Sequence, residues 1–265
     1  MDLGVQIYGC MNLFRENPEA FFKAMSNAGY TNIEPCIAFG TDRQGIENSN
    51  WHPIWLPEEV SGFKKLMSAY GLTINSFHAF GNAAGCSDEL IKLCKDNDIS
   101  RVVLSFPSDL SRKNIENFAA MCKGLAEKLR GNNLELWLHN HFAEIKAELD
   151  GKSVYETALE LCGGIVGAQV DVGWVLYGGR EPAAFLERIS DYLSSVHYKD
   201  IKMNFEDLPV NDIHTALGSG ALQIPGIYKL AYERNIPQLI DQDDSDGDFM
   251  ADLCNTPAVL SAIST

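Results

Sequence analysis

Eight short apolar segments alternate with amphipathic segments along the whole chain of 265 residues. The apolar segments are rich in Val, Ile, Leu and aromatic residues, as expected of parallel strands buried on both faces. They cover residues 3–8, 32–37, 72–77, 101–106, 134–141, 165–172, 193–199 and 237–241. The segments between them repeat apolar residues at helical spacing, as in Ile115, Phe118, Cys122, Leu125 and Leu129. Strands that alternate with helices eight times are typical of a (β/α)8 barrel.

The pattern therefore predicts an α/β protein with one TIM-barrel domain over residues 1–265, since this fold typically takes about 250 residues. An open doubly wound sheet is the alternative that the same alternation allows. No Gly-x-Gly-x-x-Gly motif follows the first strand, so a dinucleotide site is not expected.

Charge and cysteine content exclude several classes of function. The chain carries 21 basic and 36 acidic residues, a formal net charge of −15. Nucleic acids and anionic lipids both require a basic surface, so we expect neither as a partner. Seven cysteines without a Cys-x-x-Cys pair argue against a disulfide framework or a zinc-thiolate site.

Location and assembly are less constrained by the sequence. No apolar stretch approaches the roughly 20 residues of a membrane span, and the N-terminus enters a strand pattern without a signal peptide. We therefore predict a cytoplasmic protein. The oligomeric state stays open, with a homo-oligomer among the alternatives.

Polar side chains stand at the ends of the predicted strands, although a barrel interior should be apolar. They are Glu34 on the second strand, His78 at the end of the third, His139 and His141 on the fifth, Asp171 on the sixth, His197 and Lys199 on the seventh, and Asp241 and Asp243 on the eighth. TIM barrels keep their active sites at the carboxyl ends of the strands, and buried polar groups need a partner or a ligand. The sequence therefore predicts an active site here.

Four of these residues, from four successive strands, form a mixed nitrogen and oxygen donor set: His139, Asp171, His197 and Asp241. Such a set suits one divalent ion, which could be Mn²⁺, Co²⁺, Fe²⁺, Mg²⁺ or Zn²⁺. His141 is an alternative to His139, because residues two apart on a strand share a face.

The motifs H-N-H, D-V-G-W, V-H-x-K-D and D-Q-D follow one another from strand five to strand eight. In order and spacing they resemble the xylose isomerase-like (sugar phosphate isomerase/epimerase) barrel superfamily, in particular its branch with H-N-H on strand five. The resemblance extends from Val5 to Asp248. It implies a TIM barrel that holds one divalent metal with Glu, Asp, His and Glu from strands five to eight. It also implies isomerisation or epimerisation of ketoses through an enediolate, and some members dehydrate inosose-type ketones.

Carried over by position, Asp171 and His197 match the Asp and His ligands of that superfamily. His139 and Asp241 stand where many relatives have glutamates, which in the epimerases also form the opposed acid/base pair. These two departures weaken the case for two-base epimerisation.

The remaining roles follow from chemistry. Asp241 or Glu144 could take the α-proton of a substrate, but only in a partly dry pocket that raises the pKa of that carboxylate, and His141 could act as the acid. Lys199 could donate to the developing oxyanion, or it could pair structurally with Asp171 or Asp200. The groups suited to substrate hydroxyls or to a sugar ring are Glu34, His78, Lys199, Asp243, Trp174 and Trp137, although both tryptophans could also be core residues.

Three functions are compatible with this site. The first is a metal-dependent isomerase or epimerase of a keto sugar or polyol, the second a lyase or dehydratase on the same kind of substrate, and the third a non-catalytic sugar-binding barrel. Asp212-Ile213-His214 echoes a motif of the related endonuclease IV type of enzyme, but Trp174 stands where that site needs a histidine. The negative charge also disfavours a nuclease.

We expect the substrate to carry no phosphate. Only Arg15, Arg43 and Arg180 could reach the site from loops, and Gly218-Ser219-Gly220 has no basic neighbour in sequence. Two long connections, residues 38–56 and 201–220, follow strand ends. Trp51, His52 and Trp55 in the first of them could cover a ligand.

Overall fold

A sheet of parallel strands forms the centre of the computed structural model, which describes residues 3–48 and 54–263. The strands of the chain are β1 (Leu3–Gln6), β2 (Asn32–Glu34), β3 (Cys36–Phe39), β4 (Ser76–Gly81), β5 (Arg101–Ser105), β6 (Glu135–His139), β7 (Glu148–Leu149), β8 (Lys152–Ser153), β9 (Gly167–Asp171), β10 (Leu193–Tyr198), β11 (Asp200–Ile201), β12 (His214–Thr215) and β13 (Gln238–Ile240). Nine of them pair in the order β2-β1-β13-β10-β9-β6-β5-β4-β3 and curl into a nearly closed barrel. The predicted TIM barrel is confirmed, and the open doubly wound sheet is not.

Helices surround this sheet. The helices are α1 (Met11–Glu16), α2 (Pro18–Ala28), α3 (Arg43–Asn48), α4 (Pro57–Ser68), α5 (Ser87–Asn97), α6 (Arg112–Arg130), α7 (Phe142–Lys146), α8 (Val154–Leu161), α9 (Val172–Tyr177), α10 (Pro182–Arg188), α11 (Ile224–Glu233) and α12 (Phe249–Ile263). Short 3₁₀ turns at Phe205–Asp207 and Val210–Asp212 lie in the long connection after β10. Among the described residues, no helix is both long and apolar enough to span a bilayer.

Two helix starts are set by the local chemistry expected of them. The Asn17 side chain accepts from Ala20 N at 3.0 Å, just before Pro18. The Ser153 hydroxyl accepts from Glu156 N at 3.2 Å, and the Glu156 carboxylate accepts from Ser153 N at 3.0 Å. Both arrangements satisfy backbone N–H groups that a helix leaves without partners at its first turn.

Pro35 divides the second predicted strand into β2 and β3. Proline has no N–H to donate, and the chain changes partner across it, so that β2 pairs with β1 and β3 pairs with β4. Thr73 closes the seam, because its N–H donates to Thr31 O at 3.1 Å and its carbonyl accepts from Ile33 N at 2.9 Å. Nine strands thus fill the eight predicted positions.

The third strand lies later than its apolar segment. We predicted residues 72–77, whereas β4 begins at Ser76 and ends at Gly81. Leu72 and Ile74 pack into the core ahead of the strand, so hydrophobicity alone marks the wrong start. His78 is therefore inside β4 rather than at its end.

One of the tryptophans predicted to cover a ligand lies in the core instead. Trp55 is 1% exposed and packs against Phe14 and Phe63, with ring centroids 5.4 and 4.4 Å away. It belongs to the core, so its predicted role as a ligand cover is wrong, while Trp51 and His52 lie outside the described residues.

All seven cysteines are described and are free thiols, as their spacing predicted.

Candidate metal and active site

The carboxyl ends of four adjacent barrel strands bring four polar side chains together. His139 ends β6, Asp171 ends β9, His197 is near the end of β10, and Asp241 directly follows β13. One ligand atom from each of the four lies within 4.8 Å of the other three, and all four residues are buried. The parallel arrangement produces this cluster, because it places all carboxyl ends at one edge.

Asp171 is held by the strand and helix that meet there. Its Oδ1 accepts from Trp174 N at 2.9 Å and so caps α9. The Asn140 amide, in the middle of the H-N-H motif, bonds both the N–H and the carbonyl of Asp171, at 3.0 and 3.1 Å. Only Oδ2 of this carboxylate remains for another partner.

His197 lies between two carboxylates. Its Nδ1 is 3.2 Å from Asp241 Oδ2, and its Nε2 is 2.9 Å from Glu34 Oε1 but without the angle of a hydrogen bond. Burial alone would lower the pKa of His197, but the charges of Glu34 and Asp241 outweigh it and raise that pKa to about 10. His139 is different, because burial and the neighbouring histidines hold its pKa well below the usual range.

Lys199 brings an ammonium group to the same place. Its Nζ lies 2.5 Å from Asp243 Oδ2, 3.3 Å from Asp241 Oδ1 and 3.5 Å from Asp171 Oδ2. Burial would raise the pKa of Asp241, but Lys199 and His197 lower it far below the usual range. The expectation of a raised pKa for Asp241 is therefore wrong, and this carboxylate stays ionised. For Asp171, burial and the Asp241 charge prevail over Lys199 and raise the pKa to about 7.

The residue after this lysine faces another way. The Asp200 carboxylate accepts from the backbone N–H groups of Ile201, Gly218, Gly220 and Leu222 at 2.9 to 3.0 Å. The alternative pairing of Lys199 with Asp200 is therefore wrong. The glycine-rich turn considered as an anion site already binds an anion, which is this carboxylate.

Glu34 and His78, predicted to bind substrate, lie deeper in the barrel. Both side chains are almost fully buried, and His78 Nε2 is 3.0 Å from Glu34 Oε1. Glu34 Oε2 accepts from Ser76 Oγ and from Gln169 Nε2, the latter at 2.9 Å. Burial would raise the pKa of Glu34, but His197 and His78 hold it well below its usual value.

The outer rim of the site carries the remaining predicted residues. The His141 side chain is 48% exposed, and the buried Glu144 carboxylate accepts from His141 N at 2.7 Å and lies 3.6 Å from its Nδ1. The Trp174 ring lies 5.1 Å from Lys199 Nζ. Beside Asp243, a cavity of about 350 Å³ opens to the surface.

Trp137 lies elsewhere. It lines a cavity with Asn75, Asn235 and other residues near the amino ends of the strands, and the Arg101 guanidinium covers its ring at 5.1 Å. The suggestion that Trp137 stacks on a sugar at the site is therefore wrong.

Sequence reasoning assigned no role here to Gln169 or His214. Gln169 is fully buried and touches Glu34, His78 and His139. The available signal was its position two residues before Asp171, on the same strand face. His214 Nε2 lies 3.8 Å from Asp243 Oδ2, whereas Asp212 of the same motif is exposed.

The donors present fit a divalent cation. Asp171 Oδ2, His197 Nε2 and Asp241 Oδ1 are buried and have no hydrogen-bond partner within the described part of the chain. Their described contacts are ion pairs, of Lys199 Nζ with Asp171 Oδ2 and Asp241 Oδ1 and of Glu34 Oε1 with His197 Nε2. Buried polar atoms without hydrogen bonds are rare and costly, so three in one cluster fit a bound cation. Histidine and carboxylate are ordinary ligands of divalent metals.

A second group of three histidines, His78, His139 and His197, fits a metal less well. His78 Nε2 faces two acceptors, Glu34 Oε1 at 3.0 Å and Gln169 Oε1 at 2.9 Å. This nitrogen therefore carries a proton and has no lone pair for a metal.

Comparison with known proteins agrees with this architecture. A family model described as xylose isomerase-like TIM barrel matches residues 22–241. No curated protein sequence matches the chain.

Solved structures are similar at low sequence identity. A sugar phosphate isomerase/epimerase from Parabacteroides distasonis superimposes with a TM-score of 0.75 and 19% identity, over 98% of this chain and 93% of that one. The probable 3-DHS dehydratase from Bacillus anthracis gives 0.71 and 12%, over 98% and 99%. A xylose isomerase-like TIM-barrel protein from Mycobacterium smegmatis in complex with magnesium gives 0.63 and 14%, over 92% and 87%. At these identities the likeness concerns the fold alone.

Proposed function

This chain belongs to the xylose isomerase-like TIM-barrel family, and from that premise we propose that it is a divalent-metal-dependent isomerase or epimerase. Its substrate is a non-phosphorylated keto sugar or polyol, and the reaction passes through an enediolate. One observation carries the proposal: three buried ligand atoms without hydrogen-bond partners, on Asp171, His197 and Asp241, converge at the catalytic end of the barrel.

The metal ligands we propose are His139, Asp171, His197 and Asp241. When bound there, a divalent ion such as Mn²⁺, Co²⁺, Fe²⁺, Mg²⁺ or Zn²⁺ would polarise a substrate carbonyl. The magnesium complex of a relative with this fold is consistent with such an ion.

Lys199 supplies fixed positive charge at the same centre. Burial alone would lower its pKa, but Asp241, Asp243 and Asp171 raise that pKa well above the usual value, so the ammonium stays charged. A donor that is charged and already oriented stabilises a developing oxyanion at little reorganisation cost. The Trp174 ring beside it limits access of water and offers a flat face to a sugar.

Proton transfer falls to two unlike groups. Asp241 lies within the cluster, and His141 lies at the rim with one edge toward the Glu144 carboxylate. Glu144 is fixed as the capping residue of α7, so it orients His141 and stabilises the imidazolium. We propose that one of the two groups removes the α-proton and the other exchanges a proton with the substrate oxygen.

The same two groups support a second candidate, a lyase or dehydratase. A carboxylate can take the α-proton while a protonated histidine gives a proton to a departing β-hydroxyl, which leaves as water. The observation that favours it is the His139 and Asp241 pair in place of the two glutamates that serve as acid and base in the epimerases. One structural relative is a probable dehydratase.

A neutral substrate is favoured because groups that could bind a phosphate already have partners within the protein. Asp200 fills the Gly218–Gly220 turn, and Arg180 binds Ile145 O at 3.1 Å and Glu148 Oε1 at 2.8 Å. The side chain of Arg43 lies outside the described part. Asp243, Trp174 and Lys199 are the groups proposed to contact the substrate. Glu34 and His78 lie deeper and would affect the substrate only through His197 and Gln169, which they contact.

The experiment incubates metal-loaded protein with candidate keto sugars in deuterated water. Deuterium gained at carbon without loss of water supports an isomerase or epimerase, and loss of a hydroxyl as water supports the lyase. Sugar binding with neither change supports the non-catalytic barrel. His197→Ala protein in the same incubation controls for adventitious metal and contaminating activity.

A further inference from the structure

The Gln169 side chain is a buried amide that contacts Glu34, His78 and His139 at once. It is fully buried in the middle of β9, paired in register with His139 on β6. Its Nε2 donates to Glu34 Oε2 at 2.9 Å, and its Oε1 lies 2.9 Å from His78 Nε2 and 3.2 Å from His139 Nδ1.

The orientation of this amide follows from the hydrogen-bonding capacity of each partner. The Glu34 carboxylate accepts, so the NH₂ group of Gln169 must face it. The amide oxygen then faces the two histidines, and because it has no proton to give, both must donate to it. His139 therefore carries a proton on Nδ1, and Nε2 is the nitrogen whose lone pair stays free.

We infer that Gln169 is a positioning residue that fixes His139 in its Nδ1–H tautomer and so presents Nε2 as the metal-binding nitrogen. The metal part of this inference rests on the proposed function, whereas the tautomer does not. Groups that orient metal-binding histidines in this way accept the N–H of the second ring nitrogen, and their removal typically costs about 10–100-fold in metal affinity.

The test reads the tautomer directly in metal-free protein with ¹⁵N-labelled histidine. Two-bond ¹H–¹⁵N correlation spectra distinguish a protonated ring nitrogen from one with a free lone pair, and His139→Gln identifies the His139 signals. We expect Nδ1–H in the wild type. Gln169→Met retains size but has no acceptor, so we expect it to lose this single tautomer.

Metal affinity is measured separately by equilibrium dialysis with Mn²⁺ and metal analysis. We expect Gln169→Met to bind Mn²⁺ about 10–100-fold more weakly. Gln238→Met is the matched control, since Gln238 is a buried glutamine at the opposite end of the barrel whose Oε1 accepts from Tyr198. Its Mn²⁺ affinity should stay within about twofold of the wild type.

A wild-type His139 protonated on Nε2 would overturn the inference, and so would a Gln169→Met protein with an unchanged tautomer. If Gln169→Met does not fold, Gln169→Glu keeps an acceptor oxygen toward the two histidines and should keep Nδ1–H on His139. Loss of that proton in Gln169→Glu contradicts the inference. Wild-type protein with the Nδ1–H tautomer but no bound Mn²⁺ would support the orienting role of Gln169 and refute the proposed metal site.

Discussion

Replacing Lys199 by Met should destabilise the metal-free protein and raise its affinity for the metal. The Lys199 ammonium is buried among Asp171, Asp241 and Asp243, at 3.5, 3.3 and 2.5 Å. Methionine has a similar length and no charge, so the substitution removes the cation with little change in packing. The carboxylates then repel one another without compensation.

The size of the effect follows from these distances. At an effective dielectric constant of about 20, each contact near 3.4 Å contributes roughly 5 kcal/mol of attraction, much of it offset by desolvation of the ammonium. Removing one member of a buried charge cluster typically costs about 3–5 kcal/mol. We expect the free energy of unfolding of metal-free Lys199→Met to fall by about that amount at pH 7. Because the ammonium also repels a divalent cation, we expect Mn²⁺ to bind about tenfold more tightly, roughly 1.4 kcal/mol.

Urea unfolding with and without Mn²⁺, together with calorimetric titration of Mn²⁺, measures both effects. Lys202→Met is the matched control, because Lys202 pairs at the surface with the exposed Asp246 and should cost less than about 1 kcal/mol. The turnover of Lys199→Met should fall although this variant binds the metal more tightly. A loss of stability no larger than that of Lys202→Met, or weaker Mn²⁺ binding, would refute the assignment of Lys199 as the compensating cation.

Four further outcomes follow from the site. His197→Ala should lose bound metal and activity together in dialysis and turnover assays, and full metal occupancy in this variant would exclude His197 as a ligand. Asp243→Asn should lower turnover by about tenfold with little change in metal affinity, because Asp243 contacts Lys199 outside the four-ligand cluster; loss of the metal would instead place Asp243 among the ligands. Metal affinity should rise with pH, since the metal displaces a proton from Asp171, with a pKa of about 7, and from His197, with a pKa of about 10. Each released proton adds about tenfold per pH unit, and an affinity that is constant from pH 6 to 8 in calorimetry would contradict this. Catalytic efficiency should be higher for free than for phosphorylated keto sugars, and a preference of about tenfold or more for the phosphorylated form would reveal an anion site.

Much of the fold could be predicted from the sequence, because strand and helix periodicity are local properties. Alternation of apolar and amphipathic segments was enough to predict a parallel barrel, and parallel strands put their carboxyl ends at one edge. That is why Asp171, His197 and Asp241 could be grouped although they lie far apart along the chain. The period of two along a strand also indicated which neighbours share a face.

Which side chains contact one another depends instead on strand register and barrel closure, and no local sequence pattern predicts these. Only the tertiary structure decided that Trp55 enters the core, and that Asp200 binds the Gly218–Gly220 turn rather than Lys199. The same holds for Gln169, whose importance arises from strands that bring Glu34 and His139 against one amide. The sequence therefore determined which polar groups stand at the mouth of the barrel, whereas the pairing of strands determined which of them touch. The physical reason is that a hydrogen bond or ion pair depends on interatomic distances, and only the assembled barrel sets these.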